Sequence, residues 1–157
     1  MRNVCNGRLV MFLFLLPMLA FAPPALQAQT AADMETMLGS DTVSTAAAAR
    51  FVLGAADLLT PGLSGSEAER AAYEMASSRG WVKASAGDAI SMEETAFLVM
   101  KAFDLKGGLM YSLFKNPRYA YREMVYRKLI PGQTYQGTKV SGAKLLQILD
   151  KTVTNEE

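Results

Sequence analysis

Three points along the chain carry the same local signal for starting a helix: Val43-Ser44, Ile90-Ser91 and Val140-Ser141, each a β-branched residue, then serine, then an apolar stretch. They lie 47 and 50 residues apart. A serine just before a helix accepts a hydrogen bond from an otherwise unpaired first-turn amide, so a recurring serine fixes where helices begin. The intervening segments match as well, at an offset of 48: Ala72-Tyr73 with Ala120-Tyr121, Arg79 with Arg127, Trp81 with Leu129 and Val82 with Ile130. Shared chemistry at a fixed spacing across helix, loop and helix implies an internal helix-loop-helix repeat.

Helical periodicity fills in the elements. Ala49, Val52, Leu53, Ala56 and Leu59 share one face of a first helix, which Thr60-Pro61-Gly62 stops. A second is expected from Ser66-Glu67-Ala68-Glu69, a serine with glutamate three residues on, to about Arg79-Gly80. Ser91 and Glu94 repeat that capping box ahead of Met92, Ala96, Val99, Met100 and Phe103, and Gly107-Gly108 ends the third helix. The fourth follows Asn116-Pro117, turning Ala120, Met124 and Val125 inward, and is closed by Pro131-Gly132. The fifth opens at Ser141 and directs Leu145, Ile148, Leu149 and Thr152 to the core. Strand signals are weak throughout, so the sequence implies an all-α domain of about five helices in two to two-and-a-half repeats.

Ahead of this domain, Arg2 and Arg8 precede an apolar run, Leu9 to Ala22, with no other charge before Asp33. A basic stretch followed by an apolar run of this length reads as a secretory leader. The run is short for a spanning helix, which needs roughly 20 residues, and Pro17 and Pro23-Pro24 interrupt it, so no stable membrane anchor is expected. Cleavage is expected after Ala28, giving a leader over 1–28, a small polar linker over 29–41, the repeat domain over 42–153 and a tail over 154–157. Cys5 precedes the apolar run, the wrong side for a lipoprotein cysteine. The remaining 129 residues carry 14 basic against 15 acidic side chains and no cysteine. A chain of that size buries a core without disulfides, and these features suit an exported protein of the periplasm or cell envelope.

Residues 72–96 read Ala-Tyr, then Arg-Gly-Trp-Val, Gly-Asp, and Ile-Ser-Met-Glu-Glu-Thr-Ala. This order resembles the S-layer homology (SLH) repeat, with Gly80-Trp81-Val82 as its turn, Gly87-Asp88 as its loop and Ile90 to Glu94 as the box that opens the next helix. A second copy runs from Lys128-Leu129-Ile130-Pro131-Gly132 to Val140-Ser141-Gly142-Ala143-Lys144. The resemblance covers residues 42–153 and implies helical units grouped in threes that hold anionic cell-wall polymers. The family's basic box residue is replaced by Thr45, Met92 and Gly142, and its glutamate remains only as Glu94, with Ala47 and Lys144 elsewhere. The resemblance therefore implies the fold more directly than the ligand.

The chain has no histidine, which removes Ser-His-Asp and Cys-His catalysis and histidine-ligated metals. One catalytic pattern remains, Ser141-Gly142-Ala143-Lys144, the Ser-x-x-Lys of penicillin-binding enzymes. The repeat assigns Ser141 to the same capping position as Ser44 and Ser91, and no companion Ser-Asp-Asn or Lys-Thr-Gly element is present. Glu93 and Glu94, adjacent on a helix, diverge by about 100° and do not converge on one atom. Asp88 with these two glutamates lacks the alternating oxygen ligands of a calcium loop. Trp81 and the scattered methionines fall on apolar stripes and read as core. No catalytic residue, metal site or cofactor is expected.

The segment from Lys101 to Lys128 stands apart. Seven basic residues (Lys101, Lys106, Lys115, Arg118, Arg122, Arg127 and Lys128) face two acidic ones, Asp104 and Glu123, and Phe103, Tyr111, Phe114, Tyr119, Tyr121 and Tyr126 are interleaved. Cations beside aromatic faces hold an anionic glycan, a lipid headgroup or an acidic protein. Nucleic acid fits the pattern chemically but not an exported chain. The same composition also describes a solvated helix face with tyrosines packed under long basic side chains. As partner-binding residues the sequence offers Lys115, Arg118, Tyr119, Arg122 and Tyr126, with 115, 118 and 122 on one face if the helix extends back past Pro117. Arg127, which recurs as Arg79, is expected to hold a helix end instead.

The function that follows is a non-catalytic binding or scaffolding protein of the cell envelope, monomeric, with a wall polymer or an envelope protein as partner. A periplasmic adaptor that docks only on another protein and a serine-lysine acyl hydrolase built on Ser141 and Lys144 are the alternatives.

Overall fold

The computed structural model describes residues 24–130 and 135–155. Among them lie seven helices: α1 (Pro24–Leu38), α2 (Thr45–Ala55), α3 (Gly65–Ser78), α4 (Met92–Ala102), α5 (Leu109–Leu113), α6 (Pro117–Tyr126) and α7 (Gly142–Thr154). The fold is all-α, with seven described helices where five were expected; α1 and α5 are the additions. The expected leader core, Cys5 and the Pro131-Gly132 stop lie outside the described residues. Residues 29–38, expected within a linker, are helical, and α1 runs through the expected cleavage point at Ala28. Among the described residues no helix is long and apolar enough to cross a membrane.

The helix starts follow the serines. The Oγ atoms of Ser44, Ser91 and Ser141 accept from the amides of Ala47, Glu94 and Lys144 at 3.2, 3.3 and 3.4 Å. At Ser91 the box is complete, since the Glu94 carboxylate accepts from both the amide and the hydroxyl of Ser91. The second box is not used as expected. Helix α3 starts two residues earlier, on Ser64, whose side chain makes no cap hydrogen bond. The Ser66–Glu69 pattern thus lies inside the first turns of α3 rather than at its cap position.

Helix ends repeat at the spacing of the sequence. Asp57 and Asp104 adopt positive φ of 54° and 48° after α2 and α4, and Leu58 and Leu105 then donate back to the carbonyls of Leu53 and Met100, both at 2.9 Å. Gly80 and Lys128 do the same after α3 and α6, with φ of 68° and 60°; Trp81 donates to Ala76 at 2.8 Å and Leu129 to Met124 at 2.9 Å. Each left-handed residue lets the chain turn back and satisfies a last-turn carbonyl.

The three segments that precede the capping serines meet at the centre of the molecule. The Val43 amide donates to the Val140 carbonyl at 2.9 Å, Val140 to Ile90 at 3.2 Å, and Ile90 to Val43 at 3.0 Å, a cyclic ring of three backbone hydrogen bonds. All three side chains are buried. One step on, the first helical amides reach the other neighbouring segment, in the opposite rotation: Thr45 to Asp88 at 2.8 Å, Met92 to Thr138 at 2.9 Å and Gly142 to Ser40 at 2.9 Å. Around this ring α2 packs on α3, α4 on α6, and α7 on α1. Helix α1 therefore occupies the place that α3 and α6 hold in the other two pairs. Gly142 permits this approach, because a Cβ there would lie 1.6 Å from the Met37 carbonyl.

Helix α4 is the most enclosed, with Met92 and every residue from Thr95 to Met100 buried. Arg50 on α2 ties the outer helices together through ion pairs with Asp33 of α1 and, at 4.0 Å, Glu69 of α3. Trp81 is half-buried against the core, with the Arg79 guanidinium 4.9 Å above its ring, whereas its counterpart Leu129 is buried.

Candidate functional site: the basic-aromatic surface of α5 and α6

The basic segment begins at Lys101 in the last turn of α4, which is followed by the left-handed Asp104. The chain then passes Gly107, which presses against the Tyr111 ring so closely that a Cβ would lie 2.3 Å from Tyr111 Cδ1. The Gly108 amide donates to Glu123 Oε2 on α6 at 2.9 Å. Arg127 donates to Glu123 Oε1 at 2.9 Å and to the Lys106 carbonyl. Glu123 and Arg127 thus clamp the connection between α4 and α5 onto α6, and Arg127 serves structure, as its recurrence suggested. Burial pushes the Glu123 carboxyl up, but the Gly108 amide and the hydrogen bond and charge of Arg127 outweigh it and hold the group below its ordinary range.

Helix α6 starts at Pro117, with Asn116 extended at φ −135° and its Oδ1 accepting from the Tyr119 amide at 3.1 Å. Proline has no amide to pair and suits the first helical position. The helix consequently does not extend back past Pro117, and the expected common face of residues 115, 118 and 122 is not formed. Lys115 is in the connection from α5. Arg118, Arg122 and Tyr126 share the solvent side of α6, opposite the buried Ala120 and Met124. Tyr126 is 83% exposed. Tyr119 is half-buried, its ring stacked on Phe114 at 5.8 Å between centroids. Val125, expected inward, is 40% exposed because it falls on the arginine side of the helix.

Lys115 instead borders a cleft of about 400 Å³ between the end of α4 and α5, lined also by Lys101, Asp104, Lys106, Tyr111 and Ser112. Lys101 rests over the Phe97 ring at 5.4 Å. Burial, and then the Asp104 carboxylate, push the Tyr111 phenol up, so it stays a neutral hydroxyl. The sequence singled out the α6 cations but not this cleft, nor α5, where three apolar side chains, and Phe114 just after them, face solvent. The signal available was the run Leu109-Met110-Tyr111-Ser112-Leu113-Phe114 between a glycine pair and a proline.

The remaining candidate groups are engaged in structure. Ser141 caps α7 through the amide of Lys144. Glu94 closes its capping box, and Asp88 Oδ2 accepts from the Ser85 amide at 3.2 Å. Among the described residues no three His, Cys, Asp or Glu side chains are grouped to hold a metal ion. A second cavity of about 320 Å³ lies between Leu105, Arg127, Leu129, Thr152 and Asn155. Comparison of the chain with protein-family models, with curated proteins and with solved structures gives no match.

Proposed function

We propose that the chain is an exported, non-catalytic binding module of the bacterial cell envelope that holds an anionic wall polymer against the basic-aromatic face of α6. The observation that carries this reading is the placement of Arg118, Arg122 and the exposed Tyr126 on one solvent side of α6. Cations with an aromatic surface beside them match a polyanionic glycan by charge attraction and stacking. The nearby Arg127 and Glu123 serve to fix that helix and leave the face itself to a partner.

SLH-like units are part of the same proposal. The cyclic ring of Val43, Ile90 and Val140 and the three helix pairs around it support a grouping of three. The positions of the missing box arginine, Thr45, Met92 and Gly142, are buried here, so polymer contact moves to α6. The pair of α7 with α1 closes the ring within one chain, which supports a monomer. A light-scattering mass twice that of the chain would overturn that part.

The test is retention of the protein by purified, lipid-free cell-wall sacculi at low and high salt. Salt-sensitive retention is expected, because charges on an exposed face are screened. Absence of retention at low salt overturns the proposal.

A further inference from the structure

Helix α5 reverses the usual polarity of a surface helix. Leu109, Met110 and Leu113 fall within an arc of about 100° at 100° per residue, Phe114 follows at the C-cap, and the four are 72, 54, 64 and 54% exposed. Tyr111, on the other side, is buried. The apolar face therefore points into solvent, while the helix is held from behind by Tyr111 and by the clamp of Glu123 on Gly108. Four large apolar side chains side by side on a surface mark a place of contact with something apolar.

What flanks them identifies the partner. Lys106 and Lys115 bracket α5 in sequence, are exposed, and line the cleft that runs beside it; Arg118 is exposed one residue after Pro117 at the start of α6. No acidic residue occurs between Lys106 and Arg122. A second copy would bring these like charges together, and a helix of five residues offers far less than the roughly 800 Å² per partner of a stable interface. An apolar face with exposed lysine and arginine just before and after it in the chain is the complement of an anionic bilayer surface, into which it sinks to headgroup depth while the cations remain among the phosphates.

We propose that α5 is a peripheral membrane-docking face, with Leu109, Met110, Leu113 and Phe114 entering the interface of an anionic lipid bilayer and Lys106, Lys115 and Arg118 contacting its headgroups. This does not rest on polymer binding by α6: sacculi contain no lipid, and either property can fail alone. The test uses the full chain carrying Leu113→Trp, mixed with vesicles of brominated phosphatidylglycerol, whose bromines quench only an indole that enters the bilayer. Because the reporter is local, attachment through any other part of the chain does not quench it. Strong quenching beyond that of Trp81 in the parent chain is expected, with a fall of about ten-fold in the vesicle affinity read from it when Leu109→Ser is added, from the lost transfer of one leucine. Unchanged melting of both variants keeps the comparison valid, since both positions are exposed. Quenching no greater than in the parent chain overturns the proposal, whether the protein then binds another protein through α5 or binds vesicles elsewhere. Equal quenching in brominated phosphatidylcholine overturns the role assigned to the cations.

Discussion

The carbonyl of Met37 occupies the space in which a side chain at Gly142 would begin, 1.6 Å from an ideal Cβ. This contact joins the end of α1 to the start of α7 and closes the ring of three helix pairs. Gly142→Ala cannot be accommodated by rotating a side chain, because the obstacle is backbone. It should cost about 1–3 kcal/mol, as overpacking of a fixed site does, and should release α1 first. Chemical denaturation checks the cost, and limited proteolysis within α1 checks the location. An alanine variant as stable and as protected as the parent contradicts the assigned role of α1.

The three capping serines should behave alike. Ser44→Ala and Ser141→Ala are each expected to cost about 1 kcal/mol, and Ser91→Ala somewhat more because it also releases Glu94. Thermal unfolding of the three variants measures this. If Ser141 were a nucleophile, a reactive-serine probe would label the parent chain and not Ser141→Ala; labelling of neither is expected.

Glu123 gives the molecule an acid-sensitive joint. Its native pKa lies below its unfolded value, so the stability it contributes is complete above the ordinary glutamate range near about 4.3 and is lost as pH falls through the lowered native value. Glu123→Gln should lose about 1–2 kcal/mol at neutral pH, from weakened charge-assisted bonds to Gly108 and Arg127, and its stability should fall less steeply in acid than that of the parent. Denaturation between about pH 7 and pH 3 tests this; parallel acid limbs would contradict it.

Binding and stability should separate on α6. Replacing Arg118 and Arg122 together with glutamine is expected to weaken sacculus retention about ten-fold or more at low salt, with the melting temperature nearly unchanged. Lys115→Gln, outside the helix, should add little to that loss. Arg127→Gln should do the reverse, lowering stability by about 1–2 kcal/mol through loss of its bonds to Glu123 and Lys106 while retention persists. Retention equal to the parent's in the double arginine variant contradicts polymer binding by this face.

What could be read from the sequence was what is encoded locally. Ser44, Ser91 and Ser141 mark their helices because capping needs only a side chain and an amide three residues away. Asn116-Pro117 marks α6 for the same reason, and the Arg79–Arg127 offset survives as equivalent helix ends. The elements missed are those set by distant contacts. Helix α1 buries Met37 but exposes Met34 and Leu38, so its sequence lacks a clear apolar stripe, and its position depends on Gly142 and Arg50. Helix α5 was hidden because its five residues are too few for a helical periodicity to register. The Ser66–Glu69 box shows the converse: a valid local motif that does not mark its helix, since α3 begins at Gly65 with Ser64 at the cap position. In the basic-aromatic segment the cations were legible, but their grouping was not, since the break at Pro117 sends Lys115 to the cleft and leaves Arg118 and Arg122 on the helix.

The ring of hydrogen bonds from Val43 to Val140, Val140 to Ile90 and Ile90 to Val43 is the frame on which both surfaces are mounted. Native-state hydrogen exchange of these three amides tests it most directly, because groups of one cooperative unit open together at the free energy of global unfolding. The expected result is a single, slow and equal exchange rate for Val43, Ile90 and Val140, with the amides of α5 exchanging much sooner. A Val43 or Val140 amide that exchanges well before Ile90 would mean that the ring is open, and would contradict a closed unit of three.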